Sequence, residues 1–131
     1  MKRLLIVDDD QTIRDLLQEF LTDEGYEVTV AATTADAIHV LHGQPCDLIL
    51  TDGLGFRPPY GPTESQGIEA LQRAAGDQPV ALFTAYVEAG QLNLSERHLA
   101  GVWLKPMHLD DLLASIRGVL DPQPVGMLVP A

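Results

Sequence analysis

Four short apolar runs in this chain each stop abruptly at polar residues. Leu4-Leu5-Ile6-Val7 meets Asp8-Asp9-Asp10, and Leu48-Ile49-Leu50-Thr51 meets Asp52. Val80-Ala81-Leu82-Phe83 ends at Thr84, and Val102-Trp103-Leu104 ends at Lys105-Pro106. Runs this short and this uniformly apolar suit strands covered on both faces, and segments of helical period lie between them, which is the sequence form of βαβ units around a parallel sheet. After the first run, Ile13, Leu16, Leu17, Phe20 and Leu21 mark an amphipathic helix closed by Gly25. Glu27 to Ala31 supplies a further strand, and Thr33 or Thr34 caps a short helix carrying Ala37, Ile38 and Leu41 before Gly43 and Pro45. The strand Asp47–Asp52 follows, then a helix with Ile68, Leu71 and Ala75. The clearest helix is the last, with Leu109, Leu112, Leu113, Ile116 and Leu120; Asp110 and Asp111 lie in its first turn and Arg117 near its end, as the helix dipole favours. The spacing predicts an α/β fold: a doubly wound five-stranded parallel sheet of flavodoxin-like order 2-1-3-4-5 with helices on both faces.

At 131 residues the chain is one domain with room for a real core. The formal charge of −11 argues against direct nucleic-acid binding, which needs clustered Lys and Arg, and against docking on anionic membranes. Cys46 is the single cysteine, so an intramolecular disulfide is excluded and a reducing compartment is expected. The N-terminal apolar run is too short for a signal peptide or a membrane span. A soluble, cytoplasmic protein is the expectation.

Parallel strands bring their ends to one edge, where open α/β folds bind ligands. Carboxylates gathered there repel: two unit charges about 4 Å apart cost roughly 4 kcal/mol at an effective dielectric of about 20. Asp8, Asp9 and Asp52 at adjacent strand ends therefore call for a cation. Mg²⁺ suits them, since it takes hard oxygen ligands and commonly shares one or two carboxylates with a phosphate oxygen. A carboxylate beside such a metal can attack phosphorus and form an aspartyl phosphate, while Lys105 neutralises charge and Thr84 donates a hydrogen bond. Ala85 is small enough to leave the site open. Each residue also has a plain reading taken alone: a helix cap for Asp8–Asp10, a turn for Asp52, structural packing for Thr84, and a strand-to-helix turn for Lys105-Pro106. The set, in its order and spacing, carries the chemical reading.

The chain resembles the receiver domain of bacterial two-component response regulators. The resemblance rests on Leu5-Ile6-Val7-Asp8-Asp9-Asp10, Asp47-Leu48-Ile49-Leu50-Thr51-Asp52, Phe83-Thr84-Ala85 and Leu104-Lys105-Pro106, and covers about residues 2–120. It implies that Asp52 is the phosphoacceptor, that Asp9 and Asp52 bind Mg²⁺ directly, that Asp8 holds the metal through water, and that the main-chain carbonyl of Leu54 completes the protein's share. Thr84 and Lys105 would contact the phosphoryl group, and the Lys105-Pro106 bond would be cis. The implied role is a Mg²⁺-dependent phosphoacceptor switch in a phosphorelay, served by a histidine kinase or phosphotransfer protein. It would be no enzyme beyond self-catalysed phosphotransfer and hydrolysis of its own acyl phosphate. Two alternatives stand beside it: a receiver-fold interaction module that signals without phosphate, and a small Mg²⁺-dependent phosphatase, for which no second acid/base group is evident.

Several features depart from that family. Leu54-Gly55-Phe56 replaces the usual Met-Pro pair, Gly67 matches the following glycine, and Arg57-Pro58-Pro59-Tyr60-Gly61-Pro62 reads as an insertion in a long loop from Gly53 to Gln66. That insertion is either a tolerated surface excursion or a lid whose contacts would be Arg57 and Tyr60. Between Tyr86 and Ala100 a short or broken helix is expected, with Ser95 a candidate cap. Val102 occupies the position where receivers commonly carry a switching aromatic; Trp103 is expected to be a packed residue of the last strand. His39, His42, His98 and His108 have no metal-ligand spacing and read as surface or helix-end residues, and Cys46 as a small buried apolar one. Residues 1–120 form the expected domain, with 121–131 an exposed tail or the start of a linker.

Overall fold

A computed structural model describes residues 1–52, 70–84 and 99–121. Five strands, β1 (Arg3–Val7), β2 (Glu27–Ala31), β3 (Leu48–Thr51), β4 (Val80–Thr84) and β5 (Gly101–Leu104), form one parallel sheet in the order β2-β1-β3-β4-β5. Helices α1 (Gln11–Asp23), α2 (Thr34–Gly43) and α3 (Leu109–Leu120) surround it, and residues 70–75 are helical. The predicted fold class and strand order are those observed. The strand expected over Asp47–Asp52 is two residues shorter, Leu48–Thr51.

Period-two alternation along the strands divides the core into two layers. Leu5, Val7, Ile49, Val80 and Leu82 face one side, where Ala37 and Leu41 of α2 and Leu71 and Ala75 of the 70–75 stretch cover them. Leu4, Ile6, Leu48, Leu50, Ala81 and Phe83 face the other, against Leu17 and Leu21 of α1 and Leu112, Leu113 and Ile116 of α3. Each of these large side chains, fully buried, contributes about 1.5–3 kcal/mol from apolar surface removed from water. Val102 packs with the first layer and Trp103 with the second. Trp103 is thus a packed residue of the last strand, as expected.

The helix ends follow local chemistry. Asp10 caps α1 by accepting the amide of Thr12 at 2.9 Å. At the other end Gly25 takes φ 98°, a left-handed conformation that disfavours side chains, while Tyr26 N donates to Leu21 O at 3.1 Å. Thr33, not Thr34, caps α2, accepting from Asp36 N at 3.1 Å. One expectation needs correction. Leu16 was placed on the apolar stripe of α1, yet it is 44% exposed. Leu17 and Leu21 already fill the layer beneath the helix, which leaves Leu16 at the solvent-facing margin.

The readings made for Leu54, the Gly53–Gln66 loop with Arg57 and Tyr60, Gly67, Ile68, Ala85, the segment before Leu99 with Ser95 and His98, and the tail after Asp121 lie outside the described residues. Of the other histidines, His39, His42 and His108 are exposed. Cys46 is buried, and burial, more than any neighbouring charge, pushes its thiol pKa upward. Among the described residues no helix is long and apolar enough to cross a membrane.

Candidate functional site

The sheet's register sets the site. Val7 pairs with both Ala31 and Thr51, and Thr84 pairs with Leu104, so the strands stop near one level. The ladder then runs one residue further in each case. Asp8 N donates to Ala31 O at 3.1 Å, Asp52 N to Val7 O at 2.9 Å, and Lys105 N to Thr84 O at 2.8 Å. Backbone pairing therefore fixes the origin of the Asp8, Asp52 and Lys105 side chains. The chain winds one way from β1 to β2 and the other way from β1 to β3, which places Asp8 and Asp52 at the topological switch point.

Asp8, Asp9 and Asp52 each offer a carboxylate oxygen, and these three atoms lie within 4.8 Å of one another. Asp8 is 3% and Asp52 6% exposed, while Asp9 faces solvent. Asp10, the remaining acid of the run, serves the helix cap. The plain reading of a helix cap holds for Asp10. Three hard oxygen donors at this separation, two of them buried and one open to water, fit a small divalent cation.

Lys105 joins them. Its Nζ donates to Asp8 Oδ2 at 2.7 Å, with the lysine side chain 20% exposed and the aspartate 4%. Asp8 Oδ1 accepts from Asp10 N at 2.9 Å, so both carboxylate oxygens are engaged and the β1–α1 turn is held. Thr84 is buried at the end of β4, and its own carbonyl accepts from Lys105 N. The Lys105-Pro106 bond is cis.

Two contributors escaped the sequence reading. Arg14 Nη1 donates to the main-chain carbonyl of Asp8 at 2.8 Å and braces the acidic turn from α1. Its position one helical turn after the acidic run was the available signal. Phe83 lies under Lys105, whose Nζ stands 5.3 Å from the ring centroid. Nothing in the spacing distinguishes that ring from any other apolar strand residue.

Known proteins give a consistent comparison. The family model of the response regulator receiver domain matches residues 4–117. The response regulator receiver protein CpdR of Brucella abortus is 34% identical over 124 residues, spanning 92% of this chain and 98% of that protein. The transcriptional regulatory protein AruR of Pseudomonas aeruginosa is 46% identical over 57 residues, 38% of this chain, and that match spans only 22% of AruR. Among solved structures, the response regulator TrrA of Thermotoga maritima, in complex with Mg²⁺-BeF, superposes with a TM-score of 0.74 at 29% identity, covering 92% of this chain and all of that one (100%).

Proposed function

Since the chain belongs to the response regulator receiver domain family, we propose that it is a Mg²⁺-dependent phosphoacceptor switch, phosphorylated on Asp52 by a partner histidine kinase or phosphotransfer protein. The observation that carries this reading is the convergence of Asp8, Asp9 and Asp52 at the switch point, with Lys105 bound to one of them. The Mg²⁺-BeF complex of TrrA supports the choice of metal. The family's role is in signalling and is not that of a conventional enzyme.

In this reading Asp9 and Asp52 would hold Mg²⁺ directly and Asp8 through water, and the carbonyl of Leu54 would supply a further oxygen. When bound, the metal neutralises charge on the carboxylates and on the phosphoryl oxygens. One carboxylate oxygen of Asp52 forms a bond to phosphorus as the bond from phosphorus to the donor's histidine nitrogen breaks. The electron pair leaves with the imidazole, which takes up a proton. Lys105 carries its ammonium to the transferred group, and Thr84 donates its hydroxyl hydrogen to a phosphoryl oxygen. Water later attacks the acyl phosphate, releasing inorganic phosphate and restoring the carboxylate.

Residues 1–120 make up the receiver in this reading, with 121–131 a tail or linker. The charge of −11 disfavours direct contact with nucleic acid or anionic membrane and leaves protein partners as the route of action, and the single cysteine suits a cytoplasmic location. The test is metal removal. Labelling by radioactive acetyl phosphate is expected with millimolar Mg²⁺, and it should vanish with chelator and fall at least tenfold in Asp9→Asn, in line with a lost ligand. Equal labelling in chelator would sink the metal dependence.

A further inference from the structure

The cation that serves the site has a second anchor. Lys105 ends a flexible four-carbon stem just after β5, and such a side chain loses rotamer freedom when its ammonium is fixed. Asp8 holds the ammonium at 2.7 Å, yet Asp8 is also a candidate metal ligand, so its carboxylate answers to two cations. The ring of Phe83 answers to one. Its centroid lies 5.3 Å from Lys105 Nζ, within the range at which an aromatic face attracts an ammonium group.

We propose that Phe83 is the positioning residue for Lys105, its ring face holding the ammonium at the mouth of the acid site. This role rests on the phosphoacceptor reading of Asp52. The ring is well placed for it. Phe83 is 7% exposed and directly opposite Trp103 across the β4–β5 ladder. Trp103 in turn packs in the layer formed by α1 and α3, so the ring is backed from the strand beside it and the helices beneath it. Phe83 also immediately precedes Thr84, and successive strand residues point to opposite faces. One strand end therefore presents a cation holder on one side and a hydroxyl on the other. An aliphatic residue at position 83 would also bury apolar surface, but it lacks the quadrupole that attracts a cation.

The test replaces Phe83, one site at a time, by phenylalanines carrying one, three and five ring fluorines. These keep the shape of the side chain while draining charge from its face. The rate of labelling by acetyl phosphate is expected to fall stepwise, by about three- to tenfold across the series, with the thermal midpoint nearly constant. A second readout needs no phosphorylation. The chain has two lysines, Lys2 and Lys105, so isotope-labelled lysine gives two resolvable sets of side-chain NMR signals. The ε-methylene protons of Lys105 should be displaced by the ring current, and Phe83→Leu should abolish that displacement. Rates indifferent to fluorine, or Lys105 signals identical in Phe83→Leu and the unaltered chain, would overturn the proposal. If the unaltered chain fails to label at Asp52, the phosphoacceptor reading falls and this role with it, whereas the lysine signals still report whether the contact exists.

Discussion

Gly101 shows how tightly single residues are fitted at the end of the sheet. A Cβ there would stand 2.8 Å from Cζ2 and 2.9 Å from Cε2 of Trp103, so the indole lies against the bare backbone of its own strand. Gly101→Ala must displace the ring or the strand and is expected to cost about 1–3 kcal/mol, the usual range for overpacking. Trp103 is the single tryptophan, so a denaturant melt followed by its emission reads both the loss and the new environment of the ring. Cys46 makes a different claim at the same scale. Burial, with a smaller push from Asp47 that Arg3 opposes, raises its thiol pKa in the folded chain. The folded state then holds the proton more firmly than the unfolded state. The stabilisation is complete below the ordinary thiol value of 9.0 and disappears as pH rises through the folded value. Thermal midpoints of the unaltered chain, measured between neutral pH and strong alkali, should begin to fall faster than those of Cys46→Ala once the pH passes 9.0. Parallel curves would show that the thiol titrates alike in both states.

Elements differ in how openly the sequence announces them. The four runs and their polar ends were legible because a strand buried on both faces admits almost nothing polar, so the first Asp, Thr or Lys marks where the sheet meets water. The metal-competent acids and Lys105 could be named for the same reason, since parallel strands must end together. The cap of α2 could not be assigned from residue type. Thr33 and Thr34 offer the same hydroxyl, and only the extended backbone of Thr33, with φ −137° and ψ 161°, turns its oxygen toward Asp36 N. The exposure of Leu16 was hidden because it depends on which neighbours fill a layer, which periodicity does not report, whereas the brace from Arg14 depends on the turn geometry that presents the Asp8 carbonyl. Asp10 closes the acidic run without a site role, and its bond to Thr12 N makes it the cap of α1. Asp10→Ala is therefore expected to lower stability by about 1 kcal/mol in a urea melt, with Mg²⁺ affinity unchanged. A large loss of affinity would instead place Asp10 in the metal site.

At the scale of the molecule, the fold gathers charge that the linear chain spreads out. Nineteen acidic residues against eight Lys and Arg give −11, and the sheet order brings Asp52 to the adjacent pair Asp8 and Asp9 from a distant part of the sequence. Such a concentration opposes folding unless cations attend it; Lys105 supplies one, bound to Asp8 across 97 positions of chain. A bound divalent cation would supply more, and ligands that bind only the folded state stabilise it by mass action. The same edge is where the winding of the sheet reverses, the place at which open α/β folds bind ligands. Charge, topology and family membership therefore meet at the acid cluster, where the proposed phosphoacceptor is Asp52. Peptide-mapping mass spectrometry after incubation with acetyl phosphate and Mg²⁺ tests this most directly. One phosphoryl group should appear, confined to the peptide that contains Asp52, and Asp52→Asn should abolish it. A phosphoryl group on another residue, or labelling that persists in Asp52→Asn, would contradict the assignment.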